Sequence, residues 1–371
     1  LKVLPKLKPK IVQIDEVYKR IPDNGILIEF QKYRPYENKE VYAKAYERIN
    51  YLASIIDSKG TIKNIDLGEA KRIDELIKKG LKASEESLSD TQDIMDEISA
   101  KLINPIQNQI INSEIIIISP DHELNRIPFA TLRSPKSKNF LNEDYELRLV
   151  TTGRELIEIE IENNNKNKRG PLIIANPNFN LSKIKKLGSN LKTYNSQIRS
   201  KDVDSKNWNM LPGTEKEGIA IAEITNGTLM QGDEATSLNI QNANKPKILH
   251  VASHSYYSND SETYKIDSIN KLNIENPLIK SGIVLAGANN PSDFDDDDGY
   301  LTALEITKLD WEGTDLVVVS GCQSGLGELR SGEGVYGLKR AIAVAGAKSS
   351  LLSLWKVNDI ATADFMESFY L

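Results

Sequence analysis

From Glu114 onward, short apolar runs recur between polar or glycine-rich stretches: EIIIISP, PLIIANPN, ILHVAS, DLVVVS and AKSSLLSLW. Runs that stay apolar, rather than alternating with polar residues, predict strands buried on both faces. Between them, LPGTEKEGIAIAEI predicts a turn and a helix, with Thr214 and Glu217 at the spacing of a capping box. GVYGLKRAIAVAG predicts a crossover helix between the last two strands. Strands that alternate with helices imply a mainly parallel sheet flanked by helices on both faces. In such sheets the ligand crevice lies beyond the carboxyl ends of the strands.

The portion before Glu114 has a different texture. GILIEFQKY and YLASIIDSKGTIKNIDLG predict strands joined by turns. EAKRIDELIKKGLKASEE predicts an amphipathic helix with Ile73, Leu76 and Ile77 on one side, and DTQDIMDEISAKLI a second helix that ends before Pro105. We expect an N-terminal strand-helix extension over residues 1–108, serving as scaffold or regulatory lead-in, and an α/β domain over residues 109–371. The Asn-rich stretches ENNNKNK and NFNLSKIKKLGSNLKTYNSQ read as exposed loops. The chain starts at Leu1 without Met and stops at SFYL soon after a helix begins, so it reads as a fragment truncated at its C-terminus.

Composition narrows the classes. A chain of 371 residues can bury a large core, and 39% apolar with 27% charged residues describes a soluble globular protein. The formal charge of -6 excludes a broad nucleic-acid footprint. No run approaches the roughly 20 apolar residues that cross a bilayer, and no signal peptide opens the chain. A cytoplasmic protein away from membranes is the expectation. The single cysteine forms no internal disulfide, which suits a reducing compartment.

That cysteine, Cys322, stands where the DLVVVS strand meets a glycine-rich turn, in LVVVSGCQSGLG. His254 stands at the matching exit in ILHVASHS, and the chain has only three histidines. If both strands run parallel, right-handed crossovers place the two exits on one edge of the sheet. A thiol and an imidazole there are the parts needed for nucleophilic attack on an amide. Gly321 and Gly325 permit a tight turn that aims the Cys322 thiol and its own N–H at one carbonyl. His254 is the natural proton acceptor, and later the donor to the leaving amine. His250 shares the strand parity of His254 but lies deeper in the apolar run and reads as a core histidine. His122, between Asp121 and Glu123, reads as a structural or surface residue. The plain alternative for Cys322 is a silent buried thiol.

Other chemistries lack their parts. One Cys and scattered His do not make a closed zinc site, and the HExxH run fails because Arg126 follows where His is required. The acidic run DFDDDDG, with Asp293 and Asp295 to Asp298, offers oxygen ligands to calcium without the spacing of an EF-hand loop. GLGELRSGEG lacks the Walker lysine, and before Lys348–Ser349 the required glycine is Ala347. No GxSxG elbow is present.

The stretches ISPDHELNRIPFATL, LPGTEKEGIA, GDEATSLN, ILHVASHSYY, LIKSGIVLAGAN and GYLTALEI occur in this order, followed by the block LVVVSGCQSGLGELRSGEGVYGLKRAIAVAGAKSSLLSLWKVNDIAT. Together they resemble the CHAT family, caspase-like domains often fused to tetratricopeptide repeats in bacteria. NIDLGEAKRIDELI resembles the region that often precedes such domains. The resemblance covers most of Ile115 to the C-terminus. It implies a caspase-like three-layer α/β sandwich and the His/Cys dyad of clan CD peptidases, among them caspases, metacaspases and separases. The family's histidine falls on His254 and its cysteine on Cys322. Three positions depart from the family pattern: Ser255 replaces a frequent glycine after the histidine, Gln323 an acidic residue after the cysteine, and Ser324 a common threonine.

The expected activity is that of a cysteine endopeptidase acting through a thioester, with the N–H groups of Cys322 and Ser255 holding the oxyanion. The competing reading is a caspase-like interaction or signalling module with little or no catalysis. Asp359, in WKVNDIAT, is similar to a separase aspartate that receives a basic P1 side chain, so a basic P1 with Arg above Lys is expected. Glu305 and Glu333 are competing acidic candidates, and the plain alternative for Asp359 is a helix cap on ATADFMESF. No metal ligands and no required cofactor are expected; calcium is the rival idea, drawn from metacaspases. The expected partners are a protein or peptide substrate and a repeat-containing regulator, fused or separate.

Overall fold

The computed structural model describes residues 11–35, 48–158, 169–182, 207–243, 245–258, 276–290, 297–322, 324–330 and 334–371. The chain divides into two compact units, residues 1–163 with 330–334 and residues 164–329 with 335–371. Most of both Asn-rich stretches lies outside the described residues.

The first unit is built on a five-stranded sheet of β1 (Gly25–Tyr33), β2 (Asn50–Asp57), β3 (Ile62–Glu69), β4 (Ile115–Ser119) and β5 (Glu146–Leu149), in the order β3-β2-β1-β4-β5. The β1–β2 and β2–β3 pairs are antiparallel, while β1–β4 and β4–β5 are parallel. Strand β4, which follows position 108, therefore pairs directly with β1, which precedes it. Helices α1 (Ala70–Glu85) and α2 (Thr91–Leu102) cover one face, where Ile73, Ile77, Ile94 and Ile98 pack with Ile28, Phe30, Tyr51 and Ile116. The apolar stripe predicted for α1 is the stripe that it buries.

The EIIIISP run lies in the first unit's sheet as β4, while the second unit carries a parallel sheet with the other four of the five predicted strands. Its strands are β6 (Leu172–Pro177), β7 (Thr228–Gly232), β8 (Ile248–Ala252), β12 (Leu316–Ser320) and β13 (Ser350–Leu352), in the order β13-β12-β8-β6-β7, and every pairing is parallel. Both faces of these strands are apolar, and both find cover. Leu172, Ile174, Leu249, Val251, Val317 and Val319 pack with Leu338, Ala341 and Ile342 of the crossover helix Leu338–Val344. On the opposite face, Ile173, Ala175, Ala252 and Val318 meet Ile221 of helix Pro212–Thr225 and Met366 of helix Asp359–Tyr370. These helices are α3 (Pro212–Thr225), α4 (Leu338–Val344) and α5 (Asp359–Tyr370). Helix, sheet and helix form the three layers of a caspase-like sandwich. A smaller antiparallel sheet of β9 (Ser255–Tyr257), β10 (Ser281–Val284) and β11 (Tyr300–Thr302) continues from the end of β8.

One local expectation fails. Thr214 and Glu217 do not form a capping box: α3 starts with Pro212 after an extended Leu211, and the Thr214 hydroxyl donates to the Leu211 carbonyl at 2.7 Å. Proline at the first helical position loses no hydrogen bond and presets φ, so it determines the start. Glu217 is instead 1% exposed and bonded to His250, Oε1 to Nε2 at 2.9 Å. Among the described residues, no helix is long and apolar enough to cross a membrane.

Candidate active site

Strands β8 and β12 are parallel neighbours, and the register pairs their last residues, Ala252 with Ser320. Ser253 adds one more rung, its N–H donating to the Ser320 carbonyl at 3.3 Å. His254 and Cys322 follow at matching positions past this rung. The two exits run so close that a Cβ on Gly321 would stand 2.5 Å from the Ser253 carbonyl oxygen, nearer than any real contact. Gly321 is thus required by proximity.

Two serines fix the peptide planes around the thiol. The Ser255 hydroxyl donates to the Cys322 carbonyl at 2.7 Å, and the Ser353 hydroxyl donates to the Gly321 carbonyl. In a trans peptide the N–H points opposite to the C=O, so the hold on the Gly321 carbonyl turns the Cys322 N–H away from Ser353. Ser353 also accepts from Ser324 N at 3.3 Å, and the Ser324 hydroxyl donates to the Val319 carbonyl at 2.9 Å. Ser255 pairs with Ile283 in the β9–β10 ladder, whose adjacent bond runs from Val284 N to the His254 carbonyl at 2.9 Å. The Ser255–Ile283 pair is then of the non-hydrogen-bonded kind, which leaves the Ser255 N–H outside that ladder. This hydroxyl ties the histidine exit to the cysteine exit.

The imidazole of His254 lies against two aromatic rings, Phe179 with centroids 5.3 Å apart and Trp208 at 5.0 Å. Its Nε2 is 2.9 Å from the Asn209 carbonyl oxygen. A carbonyl only accepts, so Nε2 carries the hydrogen and Nδ1 keeps its lone pair in the neutral ring. Desolvation by these surroundings pulls the pKa below the ordinary 6.5, opposed by the Asn209 carbonyl and by the charge of Asp359. His254 is therefore neutral at pH 7. The Cys322 sulfur is 3.8 Å from the Val357 carbonyl oxygen. Among the described residues no hydrogen bond joins His254 to Cys322; each faces a different carbonyl.

The acidic candidates separate. Asp359 occupies the first turn of α5, but the cap is Asn358, whose side chain accepts from Ala361 N at 3.0 Å. Asp359 Oδ2 accepts from Gly213 N at 2.6 Å, and a Cβ on Gly213 would come within 2.7 Å of its carboxyl carbon. The half-buried carboxylate thus joins α5 to the start of α3 while its field reaches His254. Glu305 is engaged locally, its Oε2 accepting from the Thr302 N–H and hydroxyl, both at 2.8 Å, in a capping box. Glu333 and Gln323 lie outside the described residues, as do Asp293, Asp295 and Asp296 of the acidic run.

Of that run, Asp297 accepts from the Ser237 hydroxyl at 2.8 Å and Leu238 N at 3.0 Å, and Asp298 accepts from Tyr300 N at 3.1 Å. Among the described residues no group of three or more His, Cys, Asp or Glu is placed to hold a metal ion. His250 is fully buried, with Nε2 on Glu217 and Nδ1 3.2 Å from the Tyr370 hydroxyl, which matches a satisfied core histidine. His122 pairs with Asp121, Nδ1 to Oδ2 at 3.0 Å, in a turn of positive φ.

Sequence reasoning did not find Phe179, Trp208, Asn209 or Ser353. None lies on a periodic face that would mark it, and each reaches the site from a segment remote in sequence. The aromatic residues themselves were the only available signal, since Trp208 stands alone in a polar stretch.

Residues 92–371 match the family model of the CHAT domain. Two curated proteins, human and mouse, both named Tetratricopeptide repeat protein 28, are similar to this chain at 24% identity over 288 and 293 residues. These alignments cover 72% of the chain and 11% of each relative, so the chain spans about a tenth of the length of those proteins.

Proposed function

The chain belongs to the CHAT family, whose fold relates it to the caspase-like peptidases, and from that footing we propose that it is a cysteine endopeptidase with Cys322 as nucleophile and His254 as base. The observation that carries this reading is the paired exit of β8 and β12, which brings a neutral imidazole and the single thiol to the same end of one parallel sheet. Nδ1 of His254, unprotonated at pH 7, accepts the thiol proton once Cys322 turns from Val357. The thiolate attacks the peptide carbonyl, and the oxyanion is held by the N–H groups of Cys322 and Ser255. His254 then protonates the leaving amine, and the acyl group stays on sulfur as a thioester. A water that gives its proton to Nδ1 adds to the thioester, releasing the acid and restoring the thiol. The Nε2–H bond to Asn209 persists throughout and stabilises the imidazolium when it forms.

Asp359 is the acidic residue we assign to a basic P1 side chain. One of its oxygens is committed to Gly213 N, which orients the carboxylate, and the other is the atom we assign to an incoming guanidinium. The similarity to tetratricopeptide repeat proteins supports a repeat-containing partner, fused or separate, as the means of presenting a protein substrate.

A peptide library with varied P1, followed by Cys322→Ala on the best substrate, tests the assignment. Cleavage after Arg that disappears in the variant is expected; full cleavage by purified Cys322→Ala protein would falsify the nucleophile. The separate partners of His254 and Cys322 favour a second reading, an interaction module that retains the shell without turnover. An Arg-bearing acylating electrophile separates the two, since labelling of Cys322 that depends on His254 excludes the inert module.

A further inference from the structure

Phe179 stands two residues past β6, where the Asn178 N–H donates to the Gly232 carbonyl at 3.0 Å, and Trp208 stands in a segment without regular structure. Asn289 bonds to both segments, beside Asn290, whose Nδ2 donates to the Asn180 and Leu181 carbonyls at 3.0 and 3.4 Å. Asn289 follows β10 in the stretch GANN. Its Oδ1 accepts from Trp208 N at 2.8 Å, and its Nδ2 donates to the Trp208 carbonyl at 3.0 Å. The same Nδ2 donates to Asn180 Oδ1 at 2.8 Å, while the backbone N–H of Asn289 donates to the Phe179 carbonyl at 2.9 Å. One side-chain amide thus brackets the backbone of Trp208 and reaches the neighbour of Phe179. The Trp208 indole N–H adds a bond to the Tyr300 hydroxyl at 2.9 Å, and Phe179, only 1% exposed, packs with Tyr256, Val284 and Tyr300.

These bonds bear on the imidazole in two ways. They hold the rings that lie against His254, and they place Trp208, whose next residue supplies the carbonyl that takes the Nε2 hydrogen. We propose that Asn289 is a positioning residue for His254: it fixes the Phe179 and Trp208 rings and the Asn209 carbonyl, and so determines which imidazole nitrogen is presented for proton transfer. The catalytic consequence rests on the dyad reading above; the placement of the ring does not. The charged group that acts on the ring from the helix beyond it is Asp359, and it is untouched by changes at Asn289.

The test reads the ring itself. In the full chain, the Cε1 proton of His254 is titrated by NMR, with its resonance assigned by loss in His254→Ala. Fluorescence of Trp208, whose ring centroid is 5.0 Å away, gives a second readout because an imidazolium quenches indole more strongly than a neutral imidazole. With Asn289→Ala the backbone bond to Phe179 stays but the Trp208 ring and the Asn209 carbonyl lose their side-chain hold and water reaches His254, so the titration midpoint rises by about half a unit or more and the pH-dependent fluorescence step shrinks. Peptide cleavage should fall by about ten-fold in kcat with KM within about two-fold. An unmoved midpoint in a variant with native circular dichroism would overturn the proposal. Asn289→Ser, which keeps one short polar group, decides the matter by the same midpoint if the alanine variant does not fold. A shifted midpoint in proteins that cleave no peptide would support the positioning role and overturn the dyad reading, so the two fail separately.

Discussion

Two histidines stand four residues apart along one strand and its exit, and their surroundings differ in kind. His250 lies inside β8 with no exposure, Nε2 on Glu217 of α3 and Nδ1 on Tyr370 of α5. His254 lies just past the strand's end, with Nε2 on a backbone carbonyl and, among the described residues, no hydrogen bond to Nδ1. The first ring uses both nitrogens to join two helices to the sheet. The second uses one nitrogen to fix its orientation, and under the proposed function the other accepts the proton. The same parity along the chain holds for both residues, and on that reading the end of the ladder is what separates a structural histidine from a candidate base.

The sharpest way to break this contrast is to remove the exit ring and, separately, the thiol beside it. His254→Ala and Cys322→Ala should each lower peptide cleavage by about three orders of magnitude or more, with unfolding midpoints close to that of the starting protein. Steady-state rates beside thermal melts check it. Equal loss of stability in His254→Ala would place that ring in the same structural class as His250 and remove the distinction.

Glu217→Ala should show the reverse profile. It leaves His250 buried without its acceptor, and breaking such a pair on one side costs about 3 kcal/mol or more. Denaturant unfolding should move to markedly lower concentration, while protein that remains folded keeps its KM. A variant as stable as the starting protein would show that the buried bond contributes nothing net. Tyr370→Phe is the milder member of this pair. It removes only the 3.2 Å contact to Nδ1, so a loss of about 1 kcal/mol is expected in the same measurement.

The contrast also marks what the sequence could and could not convey. Strands β8 and β12 were legible because their runs are apolar on both faces, and the coincidence of rare residues at their ends pointed to the site. The role of Glu217 was not. The spacing of Thr214 and Glu217 suits a capping box, but a spacing of three residues carries no information on burial, and Pro212 had already set the helix start. Asn289 escaped for a similar reason: GANN reads as a turn, and the segments that it binds are distant in sequence. Ser255 was legible as a departure from the family's glycine. Its 2.7 Å hydroxyl bond to the Cys322 carbonyl depends on the close approach of two strand exits, which no local pattern encodes.

The smallest effect is expected at Asp359, the charged group among the described residues that acts on the exit histidine. Burial lowers the His254 pKa, and the Asp359 anion partly offsets this by favouring the imidazolium. Asp359→Asn keeps the oxygen that accepts from Gly213 N but removes the charge, so the pKa should fall further. Under the proposed function the base acts when unprotonated, and the acid limb of kcat/KM follows its pKa. The limb should therefore move to lower pH by a fraction of a unit, with activity retained under more acidic conditions. The same sign applies to folding. A histidine with a depressed native pKa leaves stability intact above its unfolded value of 6.5 and lowers it as pH falls toward the native pKa. In Asp359→Asn that loss extends to lower pH and grows slightly. Cleavage profiles run beside the pH series separate the two roles of the carboxylate: a lost preference for Arg at P1 with an unmoved limb would assign Asp359 to the substrate alone, and a moved limb with Arg still preferred would assign it to the histidine.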